Sequence, residues 1–272
     1  MPPVVSTSAA ARFGQMIGLL LLAVAGTAIW IGINLLFPIL SRTGLPLGAT
    51  RLAILTVVLF GAWLGLTRAG FVSRRRLMAW TALAVPLLAW QSVAWWLALR
   101  GVFQAPRPLL LALALPLLIG LPTLLGSRTI GRVLDATPAA WLVGLQAFRI
   151  LGSAFLALGL VGTLHGTFPL VSGAGDTLVG LLALPLALSL QSGARGARVA
   201  AIGWNVLGIL DLINAFAFGV LTSFVFPYPQ VLTPASAVPL EVLLHAISLR
   251  QLRRLGRRQV SPLSVGVPLV EK

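Results

Sequence analysis

Cysteine is absent from the 272 residues, which excludes disulfides, cysteine-ligated zinc and iron–sulfur clusters. Lysine is nearly absent: of the 20 basic residues all but the last, Lys272, are arginine. No lysine therefore stands within an apolar run where it could form a Schiff base. Acid is scarce as well, with five Asp and Glu in the whole chain, which argues against a magnesium-dependent phosphotransferase built on several aspartates. No G-x-x-x-x-G-K-[ST] loop, no H-E-x-x-H helix and no G-x-S-x-G elbow occurs, and "LGSAF" lacks the second glycine of the last. Charged residues make up 9% of the chain, against roughly 25% in soluble domains. A surface that poor in charge does not suit water.

What the chain does have is apolar length. It is 58% hydrophobic with a mean hydropathy of +1.00, and several runs reach the roughly 20 residues that a bilayer crossing needs. The expectation is an all-α, polytopic transmembrane helical bundle of about eight spans, near 15–38, 50–67, 77–99, 108–125, 139–164, 169–191, 199–226 and 234–252. These form one integral membrane domain over 1–272, with 253–272 as a basic cytoplasmic tail. Arg12 precedes an apolar run longer than a signal-peptide core, so the first segment reads as an uncleaved span. Proline inside spans, at Pro86, Pro116, Pro185 and Pro239, predicts kinks that neighbouring helices stabilise.

The net charge of +15 fits membrane loops rather than nucleic acid. With the N-terminus cytoplasmic, the inner segments hold Arg12, Arg68, Arg74, Arg75, Arg76, Arg128, Arg132, Arg195, Arg198, Arg250, Arg253, Arg254, Arg257, Arg258 and Lys272. The outer segments hold only Arg42, Arg51, Arg100 and Arg107. That asymmetry predicts both termini in the cytoplasm, the lipid bilayer as the partner and the bacterial inner membrane as the location. The Arg, Ala, Gly, Pro and Leu bias resembles that of a GC-rich bacterial genome.

Charge inside the spans is the informative exception, because an ionised side chain in lipid is costly and by default a candidate for function. Asp211 interrupts "WNVLGILDLINAF" in the seventh span, and Arg149 lies in the fifth. Both spans run outward from the cytoplasm, and both residues fall about 15–18 Å from the inner face, so an ion pair is expected. Gln146, Arg149 and Ser153 share a face by i, i+3, i+7 spacing. Gly208, Asp211, Ala215 and Gly219 form a stripe of small residues open to close approach.

A second, outer polar cluster is expected from His165, Asp176, Glu241 and His245, with Ser248 continuing the face of the last two. Two histidines and two carboxylates would suit a divalent metal, and histidines on separate helices a haem. Each also has a plainer reading: Asp176 as the N-cap of a helix starting at Thr177, and Glu241 as an anion in a first helical turn. Gly173 and Gly175 suggest either a loop leading into that helix or a broken span of the transporter type.

The stretches "GAGDTLVGLLALP", "WNVLGILDLINAFAFGVLTS" and "VPLEVLLHAISLRQL" resemble a group of uncharacterised bacterial inner-membrane proteins, over about the last 130 residues. The resemblance implies no activity; it directs attention to Arg149, Asp176, Asp211 and His245. The expected role is structural or accessory, organised around the Arg149–Asp211 pair, with no metal or cofactor bound. The alternatives are a small-solute or proton-coupled transporter, and a haem, metal or enzyme site using His165 and His245.

Overall fold

The computed structural model describes residues 9–260. All regular structure in them is helical: α1 (Ala9–Leu36), α2 (Pro38–Arg42), α3 (Leu45–Arg68), α4 (Ser73–Leu99), α5 (Pro106–Gly126), α6 (Arg128–Ala136), α7 (Ala139–Leu145), α8 (Ser153–Leu160), α9 (Phe168–Gln191), α10 (Ala197–Leu221) and α11 (Val238–Val260). A tight 3-10 turn, Gln146–Gly152, joins α7 to α8, so Ala139–Leu160 makes one crossing. Seven segments among the described residues are long and apolar enough to span a membrane: Met16–Leu36, α3, α4, α5, Ala139–Leu160, α9 and α10. Their outward faces carry large apolar residues such as Leu22, Ile29, Leu118 and Leu221, as lipid requires.

The eighth expected span is α11, 23 residues and so about 35 Å long. Glu241 and five arginines in its second half keep it below the apolar content of the other seven, and its first half is enclosed by protein. It packs on α5, α7 and α10, and Leu240, Glu241, Leu244, His245, Ser248 and Leu252 along it are all buried. A helix in that position needs no uniformly apolar surface. The segment begins in a wider π-turn, Thr233–Ala237, just ahead of Pro239. Proline lacks the N–H that would bond back to Ala235 four residues earlier. The indole Nε1 of Trp90 on α4 donates to that open Ala235 carbonyl instead, at 3.1 Å.

Several sequence expectations change in the folded chain. The fifth span is not one regular helix but is overwound in its middle, at Arg149. The sixth is neither broken nor late-starting: α9 runs without interruption from Phe168, so Asp176 is a mid-helix residue and not an N-cap. Glycines allow this. A Cβ at Gly173 would strike the Leu156 backbone, and one at Gly180 the backbone of Arg149 and Ile150, so α9 lies directly on the overwound turn. The stretch 253–260 is helical, continuing α11; the rest of the expected tail, 261–272, lies outside the described residues.

The connection after α5 is itself helical. The short α6 is held against α11, where Arg254 forms a bidentate pair with Asp135 and Gln251 Nε2 donates to the Leu134 and Thr137 carbonyls, each at 2.6 Å. Arg250 donates to the carbonyls of Leu124 and Ser127 at the end of α5, rather than reaching freely toward headgroups.

Candidate functional site

Overwinding sets the site. In a 3-10 helix side chains at i and i+3 eclipse, so Gln146 and Arg149 stand on one line and the i+7 position drifts off it. Both are fully buried, while Ser153 is displaced and its hydroxyl has no hydrogen-bond partner. Gln146 Nε2 donates to the Glu241 carbonyl at 3.0 Å, tying this turn to α11.

A guanidinium carries five N–H donors in a rigid fork, and all five of Arg149 are used. Nε and Nη2 donate to Asp176 Oδ1 at 2.8 and 2.6 Å. Nη2 also donates to Asp211 Oδ2 at 2.5 Å. Nη1 donates to the Gly208 carbonyl and to His245 Nε2, both at 3.2 Å. Arginine cannot accept, so His245 Nε2 must be the acceptor and its proton sits on Nδ1. That Nδ1 donates to Asn205 Oδ1 at 2.9 Å, and Asn205 Nδ2 donates onward to the Ala201 carbonyl and Ser248 Oγ. Trp204, itself anchored by its Nε1 to the Val179 carbonyl, packs beside the imidazole with ring centroids 5.1 Å apart. The histidine is thus oriented on both nitrogens.

Glu241 completes the group on different terms. Its Oε2 lies 3.9 Å from Arg149 Nε, within ion-pair range, but its carboxylate makes no hydrogen bond among the described residues. Three of the chain's five acids therefore gather around one arginine. Glycine again permits the approach: a Cβ at Gly175 would land on Asp211 Oδ1, and one at Gly208 on the His245 ring.

Beside the cluster lies a cavity of about 70 Å³, room for a few waters. Its walls include Arg149, Asp176 and Glu241 of the cluster, and Asn34, Arg51 and Gln230. Arg51 was expected in an external segment. It belongs instead to α3, about 9 Å from that helix's N-terminal end, with Nη2 donating to Thr233 Oγ1 at 3.1 Å. Counted as ionised, three carboxylates face two guanidinium groups, leaving one negative charge.

The two expected clusters are thus one, less a member. Asp176, Glu241 and His245 join Arg149, Asp211 and Gln146. His165 does not: it is exposed in the connection between α8 and α9, lining a shallow surface pocket with Thr222 and Phe224. The chain leaves the bundle at Leu160 and returns at Phe168, so His165 stays outside while Asp176, two turns into α9, points inward. No group of three or more His, Asp or Glu able to hold a metal exists among the described residues. Asn205 and Arg51 were missed from sequence. Asn205 lies three residues before Gly208 on the stripe already noticed, which was the available signal; Arg51, near a span boundary, gave none.

No curated protein and no solved structure matches the chain. The family described as "Domain of unknown function (DUF8737)" matches residues 106–253, which run from the start of α5 to about two thirds of the way along α11. That region contains Arg149 and all its partners and leaves out Arg51. With more than half of its length matched, the chain belongs to this family of unknown function.

Proposed function

We propose that this is a multi-pass protein of the bacterial inner membrane, with eight spans and both termini cytoplasmic, that translocates a proton or small monovalent cation through the site at Arg149. The inner-side excess of arginine supports the orientation. Glu241 carries the functional reading. It is 5% exposed, stands on the cavity wall without a hydrogen bond, and belongs to a group with one more acid than base. An unbalanced charge at that depth is costly until something positive joins it. The cavity's size suits water, a proton or a bare monovalent ion. Asp176 and Asp211, both hydrogen-bonded to Arg149, serve as the fixed part of the site, and Glu241 as the exchangeable part.

A second reading, a purely structural or accessory role, is favoured by the complete use of Arg149's donors, which is what a static brace requires. Inverted membrane vesicles separate the two. Respiration acidifies the lumen and quenches a ΔpH-sensitive dye; addition of Na⁺, K⁺ or Li⁺ is expected to restore fluorescence with the wild-type protein and not with Glu241→Gln. An initial quench and a recovery both no different from those of vesicles lacking the protein, for all three ions, would remove the transport reading and leave the brace.

A further inference from the structure

A groove of about 640 Å³ runs between α3 and the crossing formed by α7 and its following turn. Its walls are apolar, with Val57, Gly61 and Leu64 from α3 facing Trp141, Gly144 and Leu145. It opens sideways, where a membrane protein meets acyl chains, so its occupant comes from the bilayer. The inner mouth adds a headgroup preference. Arg68, one turn beyond Leu64, lies with its guanidinium carbon 4.4 Å over the Trp141 ring. Nearby, Arg132 lies over Phe71 at 4.9 Å and Arg76 over Trp63 at 4.6 Å.

A guanidinium stacked on a ring is held by its face, and its N–H edges stay available to a phosphate. Among the described residues the acid near this mouth, Asp135, is already engaged with Arg254. Arg76 is itself engaged, its Nη1 donating to Thr67 Oγ1 at 3.2 Å, which leaves Arg68 as the cation at the mouth. An oriented cation, Arg68, at the foot of an apolar slot matches an anionic amphiphile.

We propose that this groove binds one anionic phospholipid of the inner leaflet, with an acyl chain between α3 and α7 and the phosphate at Arg68. None of the variants that test it touches the Arg149 cluster, so its failure and that of the transport reading are distinguishable. The measurement is native mass spectrometry of the full chain released from micelles containing equal dioleoyl phosphatidylglycerol and dioleoyl phosphatidylcholine. The wild-type protein is expected to retain one phosphatidylglycerol in preference to phosphatidylcholine. Arg68→Gln should weaken phosphatidylglycerol binding about fivefold, the worth of one arginine against an anionic headgroup, and leave phosphatidylcholine unchanged.

Filling the slot should instead reduce retention of both lipids. Val57→Trp does this from an exposed position, and Gly61→Leu does it where a new Cβ meets only Leu145 Cδ1 at 4.0 Å. Elution and far-ultraviolet circular dichroism like those of the wild type identify folded variants. Equal retention of the two lipids by the wild-type protein would overturn the headgroup assignment. Unchanged retention in a folded slot-filling variant would overturn the seat.

Discussion

Replacing Arg149 by leucine removes five hydrogen bonds at once and strands the carboxylates of Asp176 and Asp211 in a nearly dry interior. Breaking a buried ion pair from one side costs about 3–5 kcal/mol, chiefly because the partner charge is left unpaired, and here two hydrogen-bonded partners are stranded. The acid side behaves differently. Asp211→Asn removes one charge-assisted bond, worth about 1.5–3 kcal/mol, but also relieves repulsion from Asp176 and Glu241. Its cost should fall at or below the low end of that range. In the Arg149→Leu background the bond is already gone and only the repulsion remains, so the same substitution should stabilise. The prediction is a change of sign, readable as the midpoint of thermal unfolding by tryptophan fluorescence in detergent for both singles and the double. If Asp211→Asn shifts the two backgrounds equally, within about 0.5 kcal/mol, the residues are energetically independent and the reasoning from this cluster fails.

Gly180→Ala should destabilise by about 1–3 kcal/mol, since its Cβ would press on the Arg149–Ile150 backbone and neither element can yield; a melting point like the wild type would show that α9 does not lie on that turn. Gln251→Leu takes the side-chain donor from the Thr137 carbonyl and leaves that of Leu134 only the longer bond from Thr137 N–H at 3.4 Å; it should loosen α6 by about 1–3 kcal/mol, detected as faster amide exchange confined to that helix. Trp90→Phe should cost about 1 kcal/mol by freeing the Ala235 carbonyl, with local exchange rising around Thr233–Ala237. For the orientation, single cysteines at exposed positions of a cysteine-free chain are decisive: Thr163→Cys should react with an impermeant reagent on intact cells and Ser192→Cys should not, and the reverse pattern would invert the topology.

The sequence by itself determined the class, placed seven long apolar helices to within about five residues, and put Arg149 and Asp211 well inside two of them. Those follow from one-dimensional quantities: apolar length against bilayer thickness, and 1.5 Å of rise per helical residue. It also marked Asp176, Glu241 and His245 as residues out of place in lipid. What it could not decide is who meets whom. Position along a helix sets depth, whereas partnership depends on rotation about the axis and on how near two backbones come. The overwound turn at Gln146–Gly152 changed the first, replacing the α-helical face shared with Ser153 by one in which Gln146 and Arg149 align. The glycines of α9 and α10 decided the second: Gly173 and Gly180 let α9 lie on that turn and bring Asp176 to the guanidinium, and Gly208 makes room for the imidazole and Nη1. Arg51 reached the cavity, and His165 stayed outside it, for the same reason: only helix packing decides which side of a span boundary faces the interior.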